Sequence, residues 1–204
     1  MNEFESVHTA RVTIEEFAWH RLHDHAFERA GAEKRTCVVT VTREHAWVVG
    51  GISDLVLLKT TDSEFHGYIK DRYTTLAETS DRIMATSLTA RWRYLGTDVD
   101  WGKVYSDIRR ILLARFAEVH SLALQQTLWE MGRAALLAHP EVAEVMLTAP
   151  NKHHFVVDLS PFGLDNPNEV FHADDRPYGL IECNVTRDDA PPAGPAWQTV
   201  PGLT

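Results

Sequence analysis

Cysteine is nearly absent from this 204-residue sequence: Cys37 and Cys183 are the only two, far apart and each within an apolar run. Two such thiols cannot build the disulfide framework of a small secreted domain, and they read as reduced, buried side chains of a cytoplasmic protein. No apolar run approaches the roughly 18 residues of a membrane helix, and "MNEFESVHTA" lacks the charged-then-apolar order of a secretion signal. Membranes are therefore not an expected partner. Positive charge is also scarce. Twenty Lys and Arg against 29 Asp and Glu leave a net charge of −9, which argues against nucleic acid as a partner. It does not exclude an anionic small molecule, because a pocket can carry its own Arg. A Gly-rich phosphate loop, a Ser-His-Asp spacing and a nucleophilic Cys setting are all missing.

What is present is enough chain for a sizeable core and a clear change of hydrophobic period along it. "HTARVTIEEFAW" (8–19) alternates as a half-buried strand does, with Val12, Ile14 and Phe17 among its apolar positions. "HDHAFERAGAEKRT" (23–36) reads as a polar hairpin connection around Gly31, and "CVVTVTREHAWVVGGI" (37–52) as a return strand with short breaks. "DLVLLKTTDSEFHGYI" (54–69) and "RIMATSLTARWRYL" (82–95) are two further strand-like runs. From Trp101 the period changes. Val104, Ile108, Ile111, Leu112, Phe116 and Val119 recur at three- and four-residue steps, predicting an amphipathic helix. "SLALQQTLWEMGRAALLAHP" (121–140) predicts a second helix, with Ser121 as N-cap and Pro140 as stop. Strand-like runs follow at 143–150, 152–159 and 177–188, and the Pro/Gly-rich tail from 189 to 204 is expected to run irregularly over a surface. The predicted class is α+β, an antiparallel sheet with two helices on one face.

Candidate chemistry concentrates in "NKHHF". Histidines 23 and 25, and 153 and 154, invite a metal, but neither pair has helical i, i+4 spacing or a Cys partner set, so no metal site is predicted. Strand alternation places Asn151 and His153 on one face, where an amide and an imidazole can jointly hold a small polar group or a water. A polar strand end with no other role explains the pair equally well. Arg82 offers a flat fork of donors to a planar anion, and Phe65 a stacking surface. Alone, the first is more often a solvated charge and the second a core ring. Gln125 and Gln126 fall in the first turn of the second predicted helix.

Three stretches taken together resemble urate oxidase (uricase) of the bacterial type: "LKTTDSEFHGYIKDRYTTLAETSDRIMATSLTARWRY", "SLALQQTLWEMG" and "PNKHHFVVDLSPFGLDNPNEVFHADDRPYGLIE". The likeness runs from about residue 8 to the C-terminus, in the family's order. It implies the tunnelling fold (T-fold), in which two tandem strand-strand-helix-helix-strand-strand units form one protomer. Residues 1–53 would be the C-terminal hairpin of the first unit, 54–188 a complete second unit and 189–204 the tail. It implies a cofactor-free, metal-free oxidation of urate by dioxygen to 5-hydroxyisourate and hydrogen peroxide. By the same resemblance, Phe65 would stack on the purine and Arg82 would grip the pyrimidine edge of the anion. Gln125 would pair with the opposite side, and the Leu124 backbone N–H would donate to the ring. Asn151 would hold dioxygen or the water replacing it, and His153 would belong to the proton relay.

The sequence departs from the family in one respect. The first hairpin of the family's first unit carries the Lys and Thr of the base relay, and no segment before Val12 matches it. Lys59 and Thr60 of "LLKTTD" fall at a second-unit position and are not that dyad. The first unit is thus expected to be incomplete here. A homotetramer, or a hetero-oligomer in which another polypeptide supplies the N-terminal half-unit, would complete it. The rival expectations are a catalytically incompetent purine-binding or assembly subunit, and another T-fold enzyme acting on purine or pterin rings. Such enzymes often need zinc with Cys and His ligands, which the scarcity of Cys disfavours.

Overall fold

The computed structural model describes residues 6–75, 77–174 and 179–198. Seven strands and two helices are present: β1 (Thr9–His23), β2 (Ala26–Thr42), β3 (Ala46–Lys59), β4 (Met84–Tyr94), α1 (Trp101–Glu118), α2 (Leu124–Ala138), β5 (Val142–Val156), β6 (Phe171–Asp174) and β7 (Leu180–Thr186). β1 to β5 pair in sequence order, all antiparallel, and β6 and β7 both pair with β5.

The helices cover one face. Gly50, Trp92 and Val145 lie in one register row, and Ile52, Ala90 and Leu147 in another. Against these rows α1 buries Val104, Ile108, Leu112 and Phe116, while α2 buries Leu128, Met131, Ala135 and Leu136. A Cβ on Gly132 would come within 2.8 Å of the Val185 side chain and 3.0 Å of the Leu147 side chain, so α2 packs its glycine directly onto the side chains of β7 and β5. A β-bulge between Ile52 and Leu55, with Asp54 at φ 58°, shifts the pleat of β3 so that Ile52, Leu55 and Leu57 all enter the core. The boundary expected between residues 53 and 54 falls inside this strand, at its bulge.

On the opposite face the tail covers one end of the sheet, while Val56, Leu58 and Met146 remain exposed. Arg93 and Glu144 form a buried pair there, 3.0 Å apart and 3% and 9% exposed. The Arg93 guanidinium also donates to the Pro191 carbonyl (2.9 Å), and the Trp197 indole N–H donates to Glu144. Residues 189–198 are irregular, as expected, and 199–204 lie outside the described residues.

Several expectations are overturned. The polar connection at 23–36 is mostly strand, because β2 begins at Ala26. Gly31 (φ 77°) sits in an irregularity: Phe17 pairs with Lys34, but Trp19 pairs with Arg29. The return strand expected with short breaks over 37–52 is two strands, β2 ending at Thr42 and β3 beginning at Ala46. They are separated by a turn in which Thr42 Oγ1 accepts from the N–H groups of Glu44 and His45. The strand expected over 54–69 ends at Lys59, and left-handed backbone at Asp62 (φ 61°) and Gly67 (φ 70°) turns the rest into a loop. Ser121 is not the cap of α2. Ala123 holds that position, and Ser121 Oγ instead accepts from Thr127 Oγ1 at 2.8 Å. The runs at 143–150 and 152–159 are one strand, β5. Of the run expected at 177–188, β7 spans Leu180–Thr186, and residues 177–178 lie outside the described residues.

Candidate active site

Three segments close around a cavity of about 980 Å³. The loop between β3 and β4 gives Phe65 and Arg82, the start of α2 gives Leu124 and Gln125, and the end of β5 gives Asn151 and His153. All six residues singled out from the sequence therefore face one space.

The loop is held by backbone pairing. Phe65 and Thr79 exchange N–H···O bonds of 2.8 and 3.0 Å, and the Arg82 N–H donates to the Ser63 carbonyl at 2.8 Å. These bonds bring Arg82 beside the aromatic ring, with its guanidinium carbon 5.2 Å from the Phe65 centroid. Arg82 Nε is buried and has no hydrogen-bond partner among the described residues. Burial lowers the guanidinium pKa from its ordinary value, and no carboxylate among the described residues offsets it. A desolvated, unpaired cation is costly unless something else supplies the acceptor. Tyr68 stacks on Phe65 with centroids 4.5 Å apart and planes 17° apart, and it does not line the cavity. Phe65 is thus the floor and Tyr68 its backing.

Leu124, Gln125 and Gln126 are the first three residues of α2, whose backbone N–H groups have no acceptor within the helix. Among the described residues, no side chain of the N-cap residue Ala123 caps this end. Leu124 is buried and its side chain anchors the turn, while Gln125 is exposed toward the cavity and Gln126 turns back to accept from the Leu122 N–H at 3.0 Å. Positive partial charge and free donors therefore point into the same space as Arg82.

On β5, Asn151 Nδ2 lies 3.4 Å from His153 Nδ1. With the amide donating, Nδ1 is the acceptor and Nε2 carries the ring proton. The His153 ring stacks on Phe155, 5.3 Å away and 12° from parallel. β5 pairs with β4 only as far as Lys152, so past this point one edge of the strand opens on the cavity. For that reason His154, Phe155 and Val156 also reach the lining, whereas strict alternation assigns His154 to the other side. Phe171 of β6 completes that wall, and so short a strand between polar loops gave no periodic signal.

Thr60 reaches the cavity, but Lys59 does not line it. Its ammonium donates to the Val119 carbonyl (2.6 Å) and to Asp62 (3.1 Å), so it is not a free base.

A planar, anionic, ring-shaped ligand fits this set: an aromatic ring, a guanidinium with no carboxylate partner among the described residues, the N–H groups of a helix start, and an amide–imidazole pair. The sequence model of the Uricase family matches residues 48–182. The chain belongs to the uricase family. It is 52% identical to a uricase of Arthrobacter globiformis over 202 residues, covering 98% of this chain and 67% of that protein. It is 36% identical to a uricase of Dictyostelium discoideum, covering 89% and 66%. The crystal structure of the Arthrobacter globiformis uricase superposes with a TM-score of 0.93 over 97% of this chain and 70% of that one. A uricase structure from Bacillus fastidious, 25% identical, gives 0.77 over 93% and 64%. The chain spans about two thirds of the length of the uricases it matches, and its antiparallel sheet with two helices is the uricase T-fold.

Proposed function

We propose that this chain forms the urate-holding part of a urate oxidase, converting urate, dioxygen and water to 5-hydroxyisourate and hydrogen peroxide. The observation that carries the reading is the half-buried Arg82 side chain, whose Nε is buried without an acceptor among the described residues and whose guanidinium lies beside the Phe65 ring. A urate anion stacked on Phe65 supplies the missing acceptor as a charge-assisted, two-point contact. The Leu124 N–H and the Gln125 amide hold the other edge of the ring. Above the plane, Asn151 and His153 hold dioxygen, or the water that replaces it, and pass protons. Urate as its dianion is itself the reductant, so in this reading neither metal nor cofactor takes part. The protein's contribution is to orient, to desolvate and to move protons.

The working unit in this reading is a cytoplasmic oligomer. Either four copies of the chain assemble, or a further half-unit supplies the base relay. The support is the exposure of Val12, Ile14, Trp19 and Leu22 on β1, the edge strand of the sheet. Among the described residues, no helix is long and apolar enough to cross a membrane.

The test is direct. The purified chain is incubated with urate in air while urate absorbance and trapped hydrogen peroxide are followed, with and without the N-terminal third of a related uricase. Turnover in either mixture supports the reading. Failure to bind urate under anaerobic conditions overturns it.

A further inference from the structure

The two walls of the cavity that come from distant parts of the chain are sewn together at one place. Ser63 and Ser121 form a parallel bridge, in which the Glu64 N–H donates to the Ser121 carbonyl (2.7 Å) and the Ser121 N–H donates to the Asp62 carbonyl (3.1 Å). Ser63 also accepts from the Arg82 N–H, so it sits between the Arg82 strand end and the segment that leads into α2. The residues on either side of Ser63 are both acidic. His120, adjacent to Ser121, reaches both of them: its Nδ1 contacts Asp62 and its Nε2 contacts Glu64.

A neutral imidazole has one N–H and one lone pair, and it can donate to only one of two carboxylates. Contacts from both nitrogens to acceptor-only groups require the imidazolium. Lys59 adds a second cation, bound to Asp62 and to the carbonyl of Val119, the residue before His120. Two carboxylates from the loop thus face two cations, one from β3 and one from the α1–α2 connection. The charged groups at the end of α1, Arg115 and Glu118, pair with each other. At the start of α2 the side chains are Leu, Gln, Gln and Thr, with no charge.

We propose that His120 is a positioning residue of the urate site, a cationic staple that fixes the Phe65–Arg82 loop against the Leu124–Gln125 helix start. Glu64 is the residue before Phe65, and His120 is four residues before Leu124, so the staple acts on both halves of the substrate clamp. It touches no substrate. As an ion pair half open to water it adds little to global stability. Its effect is on the relative placement of two binding elements, where small displacements are felt strongly. Hydrogen bonds to Glu64 and then to Asp62 raise the His120 pKa above its ordinary 6.5. The staple is therefore complete at neutral pH and opens as pH rises through that elevated value.

This inference rests on the urate reading, and the experiment separates the two. Anaerobic urate affinity is measured from pH 6 to 10 for the assembled wild-type protein and for His120→Gln and Glu64→Gln, alongside the melting temperature of each. His120→Gln is expected to weaken urate binding at least about fivefold at neutral pH and to erase the alkaline step in affinity, with the melting temperature nearly unchanged. Glu64→Gln keeps an acceptor but removes a charge, and is expected to move the step to lower pH. If wild type and both variants bind urate equally at every pH, the staple falls and the urate site stands. If the wild type binds no urate, both fall.

Discussion

The Arg82 guanidinium carbon lies 5.2 Å from the centroid of the Phe65 ring, and Arg82 Nε is buried without an acceptor among the described residues. The arrangement leaves a charge desolvated in the empty protein. Arg82→Ala is therefore expected to leave the melting temperature equal or slightly higher. Urate binding should weaken by about 2–4 kcal/mol, the worth of a charge-assisted, two-point contact. Calorimetric titration under anaerobic conditions checks this, and unchanged affinity removes Arg82 from the clamp.

Asn151 and His153 make a different prediction, because in the proposed reading they sit beside the reacting face of urate. Asn151→Ala is expected to lower kcat by about 100-fold or more, with a smaller change in KM. His153→Asn, which keeps a polar side chain but cannot relay a proton, should flatten the pH–rate profile. Steady-state kinetics across pH separates the two roles. An equal rise in KM with kcat untouched would mean that both residues only bind.

Away from the cavity, Arg93 and Glu144 are buried together under the tail and share it as a partner, through Pro191 and Trp197. Removing one partner leaves the other charge buried and unpaired, so Arg93→Ala and Glu144→Ala are each expected to cost about 3–5 kcal/mol. The double variant should cost less than the sum, because it leaves no orphan. Urea unfolding of the four proteins provides the comparison.

Acid should loosen the contact between β2 and α1. Glu33 receives both arms of Arg109, at 2.6 and 2.7 Å. That hydrogen bonding holds its carboxyl pKa below the ordinary 4.5, against the upward push of burial. A depressed folded-state value contributes stability that is present above the unfolded value and lost as pH falls through the folded one. Melting temperature followed from pH 7 down to pH 3 should show a shallower acid decline in Glu33→Gln than in wild type. Parallel curves would show that Glu33 carries none of the acid sensitivity.

The core of the fold was legible where periodicity reports burial. α1 was readable from Val104, Ile108, Leu112 and Phe116, which are buried in the structure. β4 was readable from an unbroken apolar-rich run. β2 was not, because Glu28 and Arg29 lie in a polar, exposed stretch at its start, where apolar alternation disappears. The Thr42–His45 turn was hidden for another reason: a Thr hydroxyl makes it, with no Gly or Pro to mark it. Of the candidate site, the shared face of Asn151 and His153 followed from strand period alone. That Phe65, Arg82, Leu124 and Gln125 join them in one cavity came from the family resemblance, since no local pattern encodes the Ser63–Ser121 bridge. His120 carries no sequence signal, because its partners Glu64 and Asp62 lie 56 and 58 positions away.

That same bridge has a kinetic meaning. Ser63 meets Ser121 only after β4 and α1 have been laid down between them, and Asn151 reaches its place only when β5 pairs with Thr86 of β4. Such contacts carry a large loop-closure cost and come late. The clamp cannot form from any short fragment. During refolding, recovery of urate binding should trail recovery of helical signal, so ligand capture serves as a clock for the last step of assembly.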